Sequence, residues 1–328
     1  MITGGCGYIG SALVPHLLRQ PGVDKIVIVD NLSKGRLESV SYLFDRYPDR
    51  LHFVRTDIRR PDQITAAVEL HGVPDAIVHL AATIDAATSL DEDKRILCEQ
   101  VNYEATVALA ERAVEWGVAT LVAHSSTSVY GHGGTEVLDE ESPCNPVTPY
   151  GKTKHASEQI LGLSGANTNV VVYRPASVFG WAPGYRYEVA INLLALYAHV
   201  GVPLTVYRTA EAENRPYLAI EDCVQSLEMA LRSPGRLAGK VWNTVSFNAT
   251  LGQILSVIRE LYPTAAYRYT DAELVNQISF TVAGERLYQQ GFKPSGDLRM
   301  ALSGVKDRMN QIAGLNADWF ESQERVSR

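Results

Sequence analysis

Tyr150 and Lys154 lie four residues apart in the segment TPYGKTK, directly after Thr148 and Pro149. Thr148 suits an N-cap and Pro149 suits the first helical position, so the segment predicts a helix that begins here. Residues i and i+4 are neighbours on a helix, which places the ammonium within reach of the phenol. Both the cation and the helix N-terminus favour a phenolate, so we expect the Tyr150 pKa to fall toward the range of a general base. A YxxxK pair alone is more often a solvated helix face, and its meaning depends on the other motifs.

A glycine-rich turn lies near the start of the chain, where Thr3 precedes GGCGYIG and a stretch of apolar residues at helical spacing. This order predicts a strand, a turn and a helix whose N-terminus binds a pyrophosphate. We expect Gly4 to allow the tight turn, Gly7 to let the backbone approach the phosphates, and Gly10 to let the helix pack closely. The spacing is GxxGxxG rather than the GxGxxG of the usual dinucleotide fingerprint.

Asp30 ends the apolar run KIVIV and follows Gly10 by about 20 residues, the usual spacing of this fingerprint. A carboxylate at this point in a nucleotide-binding unit bonds the adenosine ribose and repels a 2′-phosphate. The sequence therefore predicts a preference for NAD over NADP. The alternative is a side chain that caps the loop at the strand end.

Apolar strands alternate with amphipathic helices through the first half of the chain. The strand candidates are Ile26–Asp30, Leu51–Arg55, Ala76–Leu80, Leu121–Ser125 and Val170–Tyr173. Helices are predicted near 11–20, 37–47, 61–71, 93–116 and 149–163, with a further helix at 189–200. This alternation predicts an α/β protein with a doubly wound parallel sheet.

The composition restricts the class of protein. A net charge of −7 argues against a general affinity for nucleic acid, which normally requires a basic surface. No apolar run approaches the roughly 20 residues that span a bilayer, so we expect a cytoplasmic protein without membrane contact. The four cysteines have neither CxxC nor metal-ligand spacing, and we expect reduced thiols and no metal site.

Several motifs together resemble the extended short-chain dehydrogenase/reductases, specifically the NAD-dependent nucleotide-sugar epimerase/dehydratase family typified by UDP-galactose 4-epimerase. The motifs, in chain order, are TGGCGYIG, DNLS, Asp57-Ile58, HLAA, Asn102, SSTSVYG, YGKTK and Arg174-Pro175. The resemblance implies a Rossmann-type sheet with a smaller C-terminal domain for the substrate, and NAD as the cofactor. The cofactor-binding residues that it implies are Gly4, Gly7, Tyr8, Ile9, Gly10, Asp30, Asn31, Leu32, Ser33, Asp57, Ile58, Leu80, Ala81, Ala82, Asn102, Tyr150, Lys154 and Pro175.

The resemblance also divides the chain. It implies a NAD-binding domain over residues 1–178, to which segments within 217–249 return, and a mainly substrate-binding domain over 179–328. The returning segments match Tyr217–Arg232 and Val241–Val245.

The same resemblance places Ser126 at the active-site hydroxyl position, beside Tyr150 and Lys154. Members that eliminate water carry an Asp-Glu pair directly after that hydroxyl, whereas this chain has Thr127-Ser128. The missing acid pair favours redox chemistry without elimination. A polar strand end that caps the next loop is the alternative interpretation of Ser125–Ser128.

Asn192 and Arg215 match positions that contact the diphosphate of the substrate, and a guanidinium suits phosphate geometry. Ser177 stands where many members place a substrate-binding asparagine. A second arginine of the nucleotide clamp is not evident between Asp271 and Val282. A surface salt bridge is the alternative for Arg215.

We therefore predict a homodimeric enzyme that epimerises a nucleotide-diphosphate sugar, at C4, through a transient 4-keto intermediate. A sugar-nucleotide ketoreductase or dehydrogenase is the first alternative. A non-catalytic dinucleotide sensor is the second, and an intact Ser126, Tyr150 and Lys154 argues against it.

Overall fold

The computed structural model describes residues 1–83, 91–131, 136–165, 167–271 and 279–312. Within these ranges the strands are β1 (Ile2–Thr3), β2 (Ile26–Asp30), β3 (Leu51–Arg55), β4 (Ala76–His79), β5 (Thr120–His124), β6 (Val137–Leu138), β7 (Asn169–Pro175), β8 (Ser177–Phe179), β9 (Leu204–Tyr207), β10 (Asn214–Ala219), β11 (Lys240–Thr244), β12 (Phe247–Thr250), β13 (Tyr267–Thr270) and β14 (Thr281–Val282).

The α-helices in the same ranges are α1 (Tyr8–Leu18), α2 (Glu38–Ser41), α3 (Pro61–His71), α4 (Glu92–Glu99), α5 (Ala105–Glu115), α6 (Pro149–Ser157), α7 (Ala190–Val200), α8 (Ile220–Arg232), α9 (Pro234–Leu237), α10 (Leu251–Leu261), α11 (Glu285–Tyr288) and α12 (Leu298–Asn310). A π-helix at Gln100–Glu104 joins α4 to α5. Short 3₁₀ helices lie at Thr127–Tyr130, Glu158–Leu163 and Arg208–Ala210.

A seven-stranded parallel sheet forms the larger part of the fold, with the strand order β11-β7-β5-β4-β1-β2-β3. Side chains alternate between the two faces along each strand, and in this sheet apolar residues occupy both faces. In β2, Ile26 and Ile28 face the core under α1 and α8, whereas Val27 and Val29 face the core under α3 and α5. Helices thus cover both faces, and the predicted doubly wound sheet is confirmed.

A second hydrophobic core lies in the C-terminal part of the chain, between α7, α10, α12 and the small sheets. One of these sheets has the strand order β12-β10-β8, and another pairs β13 with β9. The predicted boundary at residue 178 falls inside β8. Of the predicted returning segments, β11 joins the edge of the large sheet, while Tyr217–Ala219 belongs to β10 of the small sheet.

Four predicted helices differ from the structure. The one expected at 11–20 begins earlier, at Tyr8, and ends at Leu18. The one expected at 93–116 is divided by the π-helix, and the one expected at 149–163 tightens to a 3₁₀ helix at Glu158. The one expected at 37–47 is a single helical turn, Glu38–Ser41. No helix within the described ranges is both long enough and apolar enough to cross a membrane.

Candidate active site

The expected cofactor-binding residues gather at the carboxyl ends of the large sheet. The glycine turn follows β1, Leu80 follows β4, Ser125 follows β5, and Pro175 ends β7. The chain leaves β1 for β2 on one side and returns to β4 on the other, so the crevice between β1 and β4 is a topological switch point. Open α/β sheets bind their ligands in such a crevice.

The glycines of the turn after β1 let neighbouring backbone segments approach closely. Gly4 has a φ of +69°, and a Cβ there would lie 2.6 Å from the Ala81 nitrogen. At Gly10 a Cβ would lie 2.5 Å from Gly5 Cα, so this glycine allows close packing within the turn itself. Gly7 is the N-cap of α1, and Tyr8 and Ile9 follow it in the first helical turn. The N–H groups of a first turn have no partner within the helix, so they suit an anion.

Asp30 joins the glycine turn to the loop after β2. Its two carboxylate oxygens accept hydrogen bonds from the Cys6 nitrogen at 3.0 Å and from the Leu32 nitrogen at 2.8 Å. Leu32 has a φ of +60°, and Asp30 is only 7% exposed. The carboxylate therefore caps the loop, which was the alternative interpretation. Each oxygen keeps a further lone pair, so a ribose contact remains compatible with this role.

The residues expected around the adenine are neighbours. Asn31 donates to Asp57 at 2.9 Å and accepts from the Ser33 nitrogen. The Arg59 side chain lies on the same carboxylate and, as the largest of several effects, helps to lower the pKa of Asp57 to about 2. Ile58 is buried beside it. Adenine binding by Asp57 and Ile58 remains a prediction.

A hydrogen-bond chain fixes the segment after β4. Ala81 donates its N–H to Thr3 Oγ1, and Thr3 Oγ1 lies 2.7 Å from His79 Nδ1. His79 Nε2 lies 2.9 Å from Thr106 Oγ1, whose own proton goes to the Asn102 carbonyl. His79 must therefore donate from Nε2 and accept at Nδ1, which defines the neutral tautomer. Burial, with Lys154 and His124 nearby, lowers the His79 pKa to about 3.

Asn102 lies in the π-helix and is completely buried. Its amide accepts from the Thr83 nitrogen and donates to the Thr83 carbonyl, 2.9 and 2.8 Å away. It also reaches Thr153 of α6 at 3.3 Å. Asn102 thus connects the segment after β4, which includes Ala82, with the helix that carries Tyr150. π-helical turns often occur at functional sites.

Ser126 is the N-cap of the 3₁₀ helix after β5. Its Oγ accepts the Ser128 backbone N–H at 3.1 Å and lies 2.9 Å from Ser128 Oγ, which donates to it. A serine oxygen accepts two hydrogen bonds and donates one. The Ser126 proton is therefore available to a partner in the site, and Ser126 forms a hydrogen bond with Tyr150.

Tyr150 lies in the first turn of α6, and the predicted cap is present. Thr148 Oγ1 accepts from the Gly151 nitrogen at 3.0 Å, and Pro149 is the first helical residue. The expectation of a lowered Tyr150 pKa is wrong for this structure, because burial raises that pKa. The hydrogen bond from Ser126 and the positive charge of Arg186 act in the opposite direction.

Lys154 is 4% exposed and lies one helical turn after Tyr150. Burial lowers its pKa to about 8, while nearby Cys98 and Glu158 counteract this effect. The expected lowering of the Tyr150 pKa by Lys154 is not found, since Ser126 and Arg186 are the groups that lower it. Burial penalises the charged form of both side chains, which a count of residue spacing does not reveal.

Asn192 is turned into the protein. Its Oδ1 accepts from the Gly180 nitrogen at 3.0 Å, and its Nδ2 donates to the Arg186 carbonyl and the Tyr8 hydroxyl. The Tyr8 hydroxyl in turn donates to the Gly180 carbonyl. The side chain is completely buried, so its amide ties α1 to the loop after β8. A contact between Asn192 and a diphosphate remains a prediction, and in this arrangement all of the amide's bonds are internal.

Ser177 and Arg215 lie in neighbouring strands of a small sheet. Ser177 pairs with Tyr217, two residues after Arg215, so both side chains lie on the same face. Ser177 is exposed and Arg215 is partly exposed. Pro175 is buried at the end of β7, opposite Thr244.

Three contributors to this site were not predicted from the sequence. Ser128 donates a hydrogen bond to Ser126, Arg186 lowers the Tyr150 pKa, and Glu158 raises the Lys154 pKa. Only Glu158 carried a signal in the sequence, since it stands four residues after Lys154 at helical spacing. The Ser128 contact depends on the 3₁₀ turn after β5, and the position of Arg186 depends on how the loop after β8 folds.

Comparison with known proteins identifies the family of the chain. The profile of the NAD dependent epimerase/dehydratase family matches residues 1–244. The chain belongs to this family. It is 31% identical to UDP-glucose 4-epimerase 2 of Arabidopsis thaliana over 274 residues, which cover 76% of each chain. It is 30% identical to UDP-arabinose 4-epimerase 1 of the same organism over 190 residues, 57% of this chain and 44% of that protein.

Structures of family members share the fold. The crystal structure of dTDP-glucose 4,6-dehydratase from Bacillus anthracis, in complex with NAD, superposes with a TM-score of 0.81. It is 22% identical and covers 96% of this chain, with 97% of its own length matched. Membership confirms the predicted family, its Rossmann-type fold and NAD as the cofactor of the family. Both epimerases and dehydratases belong to it, so the reaction needs a separate argument.

Proposed function

We propose that this protein is a nucleotide-sugar 4-epimerase that uses NAD. The observation that carries the proposal is the group next to Ser126. Where water-eliminating members are expected to have two acids, Thr127 is buried and Ser128 donates to the Ser126 oxygen. Neither side chain can remove a proton from C5 and deliver one to a leaving hydroxide. Ser126 and Tyr150 nevertheless form the pair that redox chemistry at a hydroxyl requires.

The residues act on the C4 hydroxyl of the sugar. Tyr150, as phenolate, accepts the hydroxyl proton, and Ser126 donates a hydrogen bond to the same oxygen. Lys154 holds a positive charge next to this centre in its protonated form. When bound, NAD takes up the hydride from C4 and later returns it, and its nicotinamide ring adds a positive charge near Tyr150.

Removal of the proton and the hydride leaves a 4-keto sugar. If this sugar turns over in the site, the hydride returns to the opposite face and Tyr150 gives its proton back to the oxygen. The product is the C4 epimer, and the enzyme is restored to its starting state. The sugar must stay bound while it turns, which requires a firm hold on the nucleoside diphosphate.

Arg215 suits that hold, because a guanidinium offers paired donors to a phosphate. Ser177 lies on the same face and is exposed, so it can donate to the sugar or the diphosphate. The names of the relatives, UDP-glucose 4-epimerase 2 and UDP-arabinose 4-epimerase 1, support a uridine diphosphate sugar as the first substrate class to test. A homodimer remains a prediction.

Turnover in heavy water tests the reaction. The purified protein with NAD is incubated with UDP-glucose, UDP-arabinose or dTDP-glucose, and the products are examined by NMR and mass spectrometry. We expect a C4 epimer without deuterium at C4 or C5 and without accumulation of NADH. Deuterium at C5 in a 4-keto-6-deoxy product would establish a dehydratase, and stoichiometric NADH would establish a dehydrogenase. Binding of NAD without conversion of any sugar would favour a sensor.

A further inference from the structure

Arg174 and Glu158 form a buried ion pair behind the active site. Arg174 donates from Nε and Nη2 to the two oxygens of Glu158, at 2.8 and 2.7 Å, in the bidentate geometry that favours a fixed arrangement. The two side chains are 4% and 8% exposed. His155 also lies 3.3 Å from Glu158, through Nδ1. None of the catalytic steps proposed above uses this pair.

The pair reaches both ends of the segment Ser125–Tyr130. At the first end, Ser125 Oγ donates to Glu158 Oε1 at 2.6 Å. At the other end, Arg174 Nη1 donates to the Tyr130 hydroxyl at 3.0 Å, and its guanidinium lies 5.0 Å from the centre of the Tyr130 ring. The Tyr130 hydroxyl passes its own proton to Asn243 Oδ1 at 2.7 Å. One ion pair therefore holds a six-residue segment at its first and last residue.

That segment carries the reactive hydroxyl. Ser126 and Ser128 lie between the two anchors, and the Ser125 backbone N–H bonds the Tyr173 carbonyl, next to Arg174 in β7. Glu158 lies directly after α6, the helix that carries Tyr150 and Lys154. The ion pair thus connects the strand end with Ser126 to the helix with Tyr150, through atoms that do not face the substrate.

We propose that Glu158 and Arg174 are positioning residues that set Ser126 against Tyr150 by holding Ser125 and Tyr130. This inference rests on the proposed function, in which Ser126 and Tyr150 act on one hydroxyl. A hydroxyl that is displaced by a fraction of an ångström from the productive geometry loses catalysis even when the substrate binds normally. The effect is therefore on kcat and not on KM.

Removing one member of a buried ion pair is strongly destabilising, so the ion pair itself is a poor target. Ser125→Ala and Tyr130→Phe release one end each and leave Glu158 and Arg174 joined. Ser226→Ala and Tyr173→Phe are the matched controls. Ser226 and Tyr173 are also buried, and their hydroxyls donate to the Cys223 and Ser226 carbonyls, respectively. Neither control residue has a role in the proposed reaction.

We expect each of Ser125→Ala and Tyr130→Phe to lower kcat about 5- to 10-fold, as the loss of one hydrogen bond that matters in the transition state would do. The double variant should lose more kcat than either single variant. KM should change less than about 2-fold, because the ground-state contacts with the substrate are unaffected. The controls should keep the wild-type kcat, although their melting temperatures fall by about as much as those of the two test variants. Equal losses of kcat in variants and controls would show that the effect is only a loss of stability, and would overturn the proposal.

A second measurement does not depend on any substrate. The pKa of Tyr150 can be measured by titrating the ultraviolet absorbance of its phenolate. The signal of Tyr150 is the difference between each protein and the same protein that also carries Tyr150→Phe. Because the Ser126 hydrogen bond lowers this pKa, we expect it to rise in Ser125→Ala and Tyr130→Phe and to stay unchanged in the controls. An unchanged Tyr150 pKa in both test variants overturns the positioning role. If the wild type converts no nucleotide sugar and the shift still occurs, the proposed reaction fails while the positioning role stands.

Discussion

Ser128 donates two hydrogen bonds to the oxygen of Ser126, one from its backbone N–H at 3.1 Å and one from its hydroxyl at 2.9 Å. The two bonds occupy the acceptor positions of the Ser126 oxygen and direct its proton elsewhere. Ser126 is thus prepared to act as a donor toward Tyr150 or toward a substrate oxygen. This arrangement follows from the local turn of the 3₁₀ helix, in which residues i and i+2 come close.

The first prediction follows from this relationship. Ser128→Ala removes the hydroxyl donor but keeps the backbone donor, so kcat should fall about 5-fold, the equivalent of one hydrogen bond near 1 kcal/mol. Ser126→Ala removes the reactive hydroxyl and should cost about 100-fold or more. Steady-state kinetics with the active nucleotide sugar measure both. Ser41→Ala on the exposed face of α2 is the control, and a larger loss in Ser128→Ala than in Ser126→Ala would contradict the order of roles.

The second prediction concerns Arg186, whose positive charge lowers the Tyr150 pKa. Arg186→Gln removes that charge, so the Tyr150 pKa should rise and the phenolate should form only at higher pH. The acidic limb of the kcat/KM profile should move upward in pH by the same amount. The exposed Arg236 of α9 provides a control, Arg236→Gln, that should leave the profile in place. An unchanged acidic limb in Arg186→Gln would assign Arg186 another role.

Several elements of the fold were predictable from the sequence because a single local property determines them. The strands Ile26–Asp30 and Leu51–Arg55 and the helix Pro61–His71 have the predicted bounds. Apolar runs in the first strand and a proline with amphipathic spacing in the helix are sufficient for this. The cap at Thr148 was predictable for the same reason, since it depends on residues within one turn.

The parts that the sequence did not reveal depend on distant residues. Asn192 is bonded to Gly180, Tyr8 and the Arg186 carbonyl, and no spacing indicates that its amide points inward. The predicted sign of the Tyr150 pKa shift was wrong, because the i+4 rule includes the nearby charge but not the cost of burying the phenolate. Asn102 of the π-helix likewise bonds Thr83, which is 19 residues away in the sequence.

The third prediction concerns Lys154, whose pKa burial lowers to about 8. In protein labelled with ¹³C at lysine Cε, we expect one lysine resonance to titrate near pH 8, well below the pKa of about 10.4 that a lysine has in water. Lys154→Met should remove that resonance. In the proposed function Lys154 contributes its positive charge beside the reacting hydroxyl only when it is protonated, so kcat/KM should fall as pH rises through this pKa.

The matching control for this titration is Lys152→Met, since Lys152 lies on the exposed face of the same helix. It should leave the low-pKa resonance and the basic limb unchanged. A Lys154 resonance that titrates near the ordinary lysine pKa would mean that the nearby Cys98 and Glu158 fully offset burial.

The fourth prediction is that Arg215→Ala raises KM more than it lowers kcat. A guanidinium that grips a phosphate contributes equally to substrate and transition-state binding, and losing it costs about 10- to 100-fold in affinity. Steady-state kinetics and equilibrium binding of the substrate test this. Arg299→Ala, which breaks an exposed ion pair between Arg299 of α12 and Glu260 of α10, should change neither constant. A loss confined to kcat would place Arg215 at the reacting carbon instead.

The last prediction concerns the choice of cofactor. The Asp30 carboxylate is only 7% exposed, so water and salt screen its charge weakly. A 2′-phosphate beside it would be repelled, and isothermal titration should show NAD bound about 10-fold or more tightly than NADP. Asp30→Asn keeps the size of the side chain and removes its charge, so this preference should decrease.

The same substitution separates charge from structure. The oxygen of an asparagine can still accept one of the two backbone hydrogen bonds, from Cys6 or Leu32. Its NH2 group only donates, so the second bond is lost. Asp30→Asn should therefore weaken NAD binding through the disturbed turn and weaken NADP binding less. Asn31→Ala, next to Asp30 but uncharged in both forms, should leave the ratio of the two affinities unchanged. If wild type binds both dinucleotides equally, Asp30 serves only to hold the glycine turn against the loop after β2.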